Sequence, residues 1–478
     1  MSVKIIELFK RLHSEDIQYC HWKSINRMEE VYKGLTDIDI LVSISHAERF
    51  VKILSDFNAK SVLPRIWMIY PNMEDYLLYD DGKIFHFHIH YKLMMGKKNL
   101  KEYLLPLEEL YLNNRVYNKE YDTFIVPSSL DIIMLLIRKI QKTSFSMSMK
   151  LFFSSIDYKN DDEITYLLEH ITKKDFYTYL NQVDKKLHAE GSLYKIIDEI
   201  YKNNFIINYK QYKDIKNIIS SYKIYNPLYN LLVPKIRKYL NYFVAFSSRN
   251  NAKHFKKSGL SIALVGADGS GKTTVADQLI KKLRYKLSAK KYYLGCNKRS
   301  YSVISKMLVS SSYLFRIFKK LNSKNNLFAN LHFFGVLIAE YACLYDRRRL
   351  YLQSLKDIAN GMIVVYERFP LKDTIDYPMN LDKNYFHIQK KMKFIEKFES
   401  YIKREYKKIN LPKSTFWINA PVELISSRRK MNSNTIHKVS KKYELVSLFA
   451  HTNNLIILDA HNSVDILVKQ IIKRIFKV

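Results

Sequence analysis

At 478 residues the chain is too long for one ordinary hydrophobic core, and its 47% hydrophobic and 14% aromatic content excludes a disordered or low-complexity protein, so two or three globular domains are expected. Its 79 Lys and Arg against 46 Asp and Glu give a formal net charge of +33, a balance that attracts anions. The basic residues are spread along the chain and form no reading module, so small anionic substrates are the expected partners and nucleic acid is not.

Apolar periodicity predicts a first helix over 5–14, followed by a short apolar run over 17–22. The stretch 34–42, Gly-Leu-Thr-Asp-Ile-Asp-Ile-Leu-Val, alternates carboxylate and aliphatic residues before turning wholly apolar, as a strand leaving a turn does. Asp37 and Asp39, two residues apart, then project from one face of that strand, an arrangement that can hold Mg²⁺. A further strand over 84–91 places His86, His88 and His90 on one face. These imidazoles could complete a metal site with Asp37 and Asp39 for an ion softer than Mg²⁺, or be ordinary strand residues. After Pro127 the spacing becomes helical, over 130–140 and 164–180, and stays mostly so to about Tyr242. The expected organisation is an α+β domain over 1–125 with a helical extension over 126–245.

Residues 246–258 are polar, basic and aperiodic, and read as a linker. Beyond it, apolar strands over 261–265, 362–366, 415–418 and 455–458 alternate with long helical patterns, so 259–478 is expected to be an α/β domain built on a parallel sheet flanked by helices. Its first strand runs into Gly266-Ala267-Asp268-Gly269-Ser270-Gly271-Lys272-Thr273-Thr274, which matches G-x-x-x-x-G-K-[ST] and is followed by a helix over 274–287. Glycines let the backbone N–H groups wrap phosphates, the lysine reaches the β- and γ-phosphates, and the Thr273 hydroxyl can hold Mg²⁺. ATP and Mg²⁺ are therefore the expected cofactors.

This loop, the Tyr345-Asp346-Arg347 helix, the Glu367-Arg368-Phe369 end of a strand and the later Ser427-Arg428-Arg429-Lys430 segment together resemble thymidylate kinases and their P-loop relatives over roughly 220 residues. The resemblance implies phosphoryl transfer from ATP to a nucleoside monophosphate. It gives contact with the acceptor to Asp268, the grip on the acceptor's phosphate to Arg368 and a place lining the acceptor pocket to Arg347. It makes Glu367 the counterpart of the family's catalytic aspartate. Arg428 and Arg429 are lid residues under this resemblance, or else a solvated basic helix face. Phe369 replaces the family's tyrosine, and Asn419 stands where a carboxylate is common.

In the first half, Lys23-Ser24 followed by Asp37-Ile38-Asp39 is similar to the nucleotidyltransferase signature of a Gly-Ser pair before an Asp-x-Asp strand, with lysine in the place of glycine. The resemblance implies a nucleotidyltransferase-like domain, either active or a non-catalytic descendant that binds the acceptor. Fusions of this kind look like proteins of bacterial surface-polysaccharide synthesis, which gives a sugar or glycan precursor as an alternative acceptor. A regulatory protein that binds ATP without transferring phosphate is the other alternative.

Cys20, Cys296 and Cys343 share no metal-ligand or redox spacing, so neither a zinc site nor a disulfide framework is expected and a cytoplasmic location fits. The amino terminus has no signal-peptide core. The most apolar stretch, 327–345, is interrupted by Asn330, His332 and Glu340 and is expected to be a buried helix, with no transmembrane segment. A homodimer is compatible with these features.

Overall fold

The computed structural model describes residues 2–97, 99–143, 145–248, 253–295, 301–320, 326–371, 388, 390–428 and 431–477. Cys296, Arg429 and part of the 246–258 segment lie outside them. The chain divides into two compact units, 1–253 with 476–478, and 254–475.

In the first unit, helix α1 (Val3–Ser14) leads to β1 (Tyr19–His21), the short helix α2 (Met28–Tyr32), β2 (Ile38–Val42), α3 (Ala47–Asp56), β3 (Lys60–Leu63), β4 (Met73–Asp80) and β5 (Lys83–His90). A small antiparallel pair follows, β6 (Leu93–Met95) with β7 (Tyr103–Leu105), and then β8 (Val116–Asn118) and β9 (Thr123–Ile125). Within this unit the main sheet runs β3-β4-β5-β2-β1-β9-β8. β2 lies antiparallel to β1 and parallel to β5, with Asp39 opposite His88. On the other side of β5, Asp75 of β4 is also opposite His88. Register thus gathers the acidic pair and the histidine strand at the middle of one sheet.

Helix α4 (Ser128–Lys142) is buried nearly all the way round, as its run Leu130, Ile132, Ile133, Met134, Leu135, Leu136, Ile137 dictates. It joins the sheet and the later helices in one continuous core from Ile5 to Ile219, so 1–125 and 126–245 are not separately packed. The stretch 164–180, whose spacing is helical, forms two helices, Asp162–Glu169 and Lys173–Lys186. Thr172 is the reason: its extended backbone ends the periodicity and its side chain accepts from Asp175 N, starting the second helix as an N-cap.

In the second unit a five-stranded sheet of β10 (Leu260–Val265), β11 (Ala289–Tyr293), β12 (Ile363–Glu367), β13 (Ser414–Asn419) and β14 (Ile456–Asp459) has the order β11-β12-β10-β13-β14, with every pairing parallel. The helices that matter for the site are α5 (Lys272–Leu283), α6 (Asn326–Ala359), α7 (Lys393–Lys407), α8 (Val422–Arg428) and α9 (Ser433–Thr452). Helix α6 is long and apolar enough to cross a membrane by length and composition alone. However, 56% of its most apolar stretch is buried, and Phe333, Leu337 and Leu344 pack into the same core as Val265, Val364 and Trp417. β10 is central in the sheet, so its carboxyl end opens where neighbouring strands diverge, the usual place for a ligand in such sheets.

Candidate functional site

The phosphate loop forms at the end of β10. Gly269 and Gly271 have φ of +90° and +97°, in the left-handed region. A Cβ on Gly269 would lie 2.7 Å from Ile425 Cγ2, whereas nothing stands within 4 Å of one built on Gly271. The first glycine is required by packing and the second keeps the backbone open to an incoming group. The loop ends at the amino terminus of α5, whose unpaired N–H groups and partial positive charge favour an anion.

Lys272 is 7% exposed, and its ammonium donates to the carbonyls of Gly266 (2.9 Å) and Ala267 (2.6 Å). Burial lowers its pKa to about 8; Asp268 and Glu367 oppose that fall, while Lys442 and Arg368 add to it. The Thr273 hydroxyl donates to Glu367, whose other carboxylate oxygen lies 3.3 Å from Lys291 Nζ. Glu367 is 4% exposed and stands at the end of β12, in register with Leu264.

Asp268, inside the loop, holds two cations: Lys442 Nζ of α9 at 2.9 Å and Arg368 at 3.2 Å. Burial would raise the Asp268 pKa, but Lys442, Lys272 and Arg368 outweigh it and hold the carboxyl below its ordinary value. Arg368 has φ +57°, a left-handed conformation uncommon for a non-glycine residue, and its guanidinium lies 5.9 Å from the Tyr293 ring centroid. Both cations are partly exposed and can be shared with a ligand.

Thus Asp268, Lys272, Thr273, Glu367 and Arg368 come together, with Gly266, Ala267, Gly269, Ser270 and Gly271 as the loop and Thr274 on the first turn of α5. Arg347 is engaged elsewhere: it is 7% exposed and donates to Leu294 O (2.6 Å) and to the Tyr406 hydroxyl (3.1 Å), which itself donates to buried Glu340 (2.6 Å). Arg428 donates to Ala460 O at 2.6 Å. Phe369 is 5% exposed against Tyr366, a place that needs no hydroxyl, and Asn419 accepts from the Tyr443 hydroxyl at 3.0 Å. Sequence reasoning missed Lys442 and Lys291, which are single lysines in a lysine-rich chain.

In the first unit, Asp37 and Asp39 face the histidine strand but do not share one partner. His86 bridges Asp37 (2.8 Å) and Asp75 (2.7 Å), and Lys253 lies 2.5 Å from Asp75. Burial alone would lower the His86 pKa, but its two carboxylate partners outweigh that and raise it. Asp39 is paired with Lys23 (2.8 Å) and His88 (3.0 Å). Burial would raise its pKa, yet Lys23 and His88 hold it well below the usual carboxylate range. One ligand atom each from Asp39, His88 and His90 falls within 4.8 Å of the others, a spacing an ion could bridge, but the Lys23 ammonium already sits on Asp39.

No protein-family model and no curated protein matches the chain. Among solved structures, a deoxyadenosine kinase from M. mycoides with the products dCMP and a flexible dCDP bound is similar over 46% of this chain and 100% of its own, at 16% identity and a TM-score of 0.29. Deoxyadenosine kinase from M. mycoides with bound dATP is similar over 45% and 98%, at 15% identity and a TM-score of 0.27. At these scores the likeness decides nothing about the activity of this chain.

Proposed function

We propose that residues 254–475 form an ATP-dependent phosphotransferase whose acceptor is a small phosphorylated molecule, a nucleoside monophosphate of the thymidylate type in the first instance. The observation that carries this reading is the convergence on one phosphate loop of Lys272, the Thr273–Glu367 pair, and the Arg368 and Lys442 cations held by Asp268.

The loop N–H groups and Lys272 would bind the β- and γ-phosphates, with the ammonium exchanging its two backbone carbonyls for phosphate oxygens. The hydroxyl of Thr273 and the carboxylate of Glu367 are hard oxygen ligands, already in contact, and suit Mg²⁺. Once bound, that ion offsets the charge of the phosphates. On the acceptor side, Arg368 and Lys442 can turn from Asp268 to an incoming phosphate, which lowers the repulsion between two polyanions. An acceptor phosphate oxygen, already ionised near neutral pH, would attack the γ-phosphorus of ATP as the bond to the β–γ bridging oxygen breaks and ADP leaves, so no general base is required of Asp268, which orients the two cations.

The test is ATP consumption by the full chain with Mg²⁺ across nucleoside monophosphates and sugar phosphates, beside the Lys272→Ala variant. Selective turnover on a nucleoside monophosphate that disappears in the variant is the expected result. Turnover unaffected by Lys272→Ala would refute the assignment, and activity confined to sugar phosphates would move the acceptor to glycan precursors.

A further inference from the structure

The first unit carries a second cationic cluster, unrelated to the phosphate loop. Trp22 lies at its centre: Lys23 Nζ is 4.7 Å and the Arg138 guanidinium 5.8 Å from the indole ring, and His90 meets the ring edge-on at 4.8 Å. Arg138, Gln141 and Lys142 fall at i, i+3 and i+4 on helix α4 and therefore share a face. Lys101 comes from the turn between β6 and β7, where it takes φ +54° and its N–H bonds to Lys97 O. The neighbouring Glu102 carboxylate pins that turn by accepting from Lys97 N at 3.0 Å.

The charges do not balance. Lys23 is matched by Asp39, and Arg138 by Asp131 (2.9 Å) and Glu163 (3.4 Å). Lys101 and Lys142 have no ion-pair partner among the described residues. Burial first, and then the charges of Lys23, Lys142 and Arg138, outweigh the opposing Asp39 carboxylate and bring the Lys101 pKa down to about 8. Buried polar atoms here also lack a hydrogen-bond partner among the described residues: the indole nitrogen of Trp22, both ring nitrogens of His90, which is 0% exposed, and both amide atoms of Gln141, which is 2% exposed. Lys23, Asp39 and His88 keep side-chain exposures of 20%, 12% and 21%, so the cluster is reachable from solvent. A further cation here would have to displace Lys23 from Asp39 and meet the surplus of positive charge, whereas a multiply charged anion would relieve it.

We propose that the first unit binds a phosphate-bearing anion at Lys23, Lys101, Arg138 and Lys142, without a metal ion, the Lys23 ammonium standing where the Asp39 carboxylate would otherwise take a divalent cation. The four cations, Lys23, Lys101, Arg138 and Lys142, face the three carboxylates Asp39, Asp131 and Glu163, and the positive charge left over favours a phosphate-bearing ligand.

The experiment is calorimetric titration of inorganic tripolyphosphate, in EDTA, into the full chain carrying Lys272→Ala, so that the loop of the second unit is weakened and its failure is scored separately. Binding that persists in EDTA and weakens roughly tenfold on adding Lys101→Met, with a thermal midpoint no lower than that of the parent, is the expected result. A fall in affinity at an unchanged thermal midpoint separates loss of the anion site from loss of the fold. Adding Lys23→Met should likewise weaken tripolyphosphate binding roughly tenfold. Binding that requires Mn²⁺ or Mg²⁺, affinity unchanged by Lys101→Met, or a Lys23→Met variant that gains tight divalent-ion binding while keeping the anion would each overturn the proposal, as would no binding at all.

Discussion

Raising the pH should loosen ATP from the phosphate loop, and Lys272 sets the size of the effect. Its pKa in the free protein is about 8 against an ordinary value of 10.5, because burial disfavours the ammonium. Bound phosphates favour the charged form and return the pKa to at least its ordinary value. The difference, 10.5 minus about 8, is about 2.5 units, and at ~1.36 kcal/mol per unit a bound pKa at the ordinary value corresponds to ~3.4 kcal/mol. The sign is fixed: affinity is full below about pH 8, where the free lysine is already protonated, and falls roughly tenfold per unit above it. At about pH 8 binding should also draw in ~0.5 proton, which calorimetry reads as a dependence of the heat on the ionisation enthalpy of the buffer. Lys272→Arg, which does not titrate in this range, should abolish both effects. Constant affinity from about pH 7 to about pH 9.5 in the native chain, or a slope that survives in Lys272→Arg, would refute the reasoning.

Glu367→Gln keeps the hydrogen bond from Thr273 but removes the charge that suits Mg²⁺, so Mg²⁺-dependent turnover should fall by roughly 100-fold while nucleotide binding in EDTA changes little; equal loss in both would make Glu367 a structural residue. Gly269→Ala places a Cβ 2.7 Å from Ile425 Cγ2 at a φ of +90°, which should cost ~1–3 kcal/mol in urea unfolding and weaken nucleotide binding together. His21 is 1% exposed and burial lowers its pKa to about 4, so the unfolded chain takes up a proton that the folded chain refuses. Stability of the first unit should therefore drop by ~1.4 kcal/mol per pH unit from this residue between about pH 6.5 and about pH 4, and His21→Asn should remove that part of the slope.

What could be read from the sequence follows how local each signal is. The loop was legible because its glycines, lysine and threonine are contiguous, and its strand and helix immediately flank it. The face shared by His86, His88 and His90 was legible for the same reason, since strand period needs only three residues. β11 was not expected: Lys290 and Lys291 break its apolar run, yet one lysine reaches Asp357 and the other Asp277 and Glu367. The join between α+β module and helical region was hidden as well, because α4 is equally apolar on the faces that meet either. Partners such as Lys442 for Asp268, or Lys23 for Asp39, depend on tertiary register that no spacing rule carries. The two carboxylates of the Asp-x-Asp strand do share a face, but register hands one to His86 and the other to Lys23.

The tie between Asp268 and Lys442 makes the phosphate motif something other than a portable cassette. The consensus leaves position 268 open to any residue, and here a carboxylate fills it among groups meant to receive phosphates. One of its two counter-charges, Lys442, arrives from 174 positions further along. A fragment ending before Ser433 would contain every residue that the motif specifies, and its loop carboxylate would be left with Arg368 as its one ion-pair partner among the described residues.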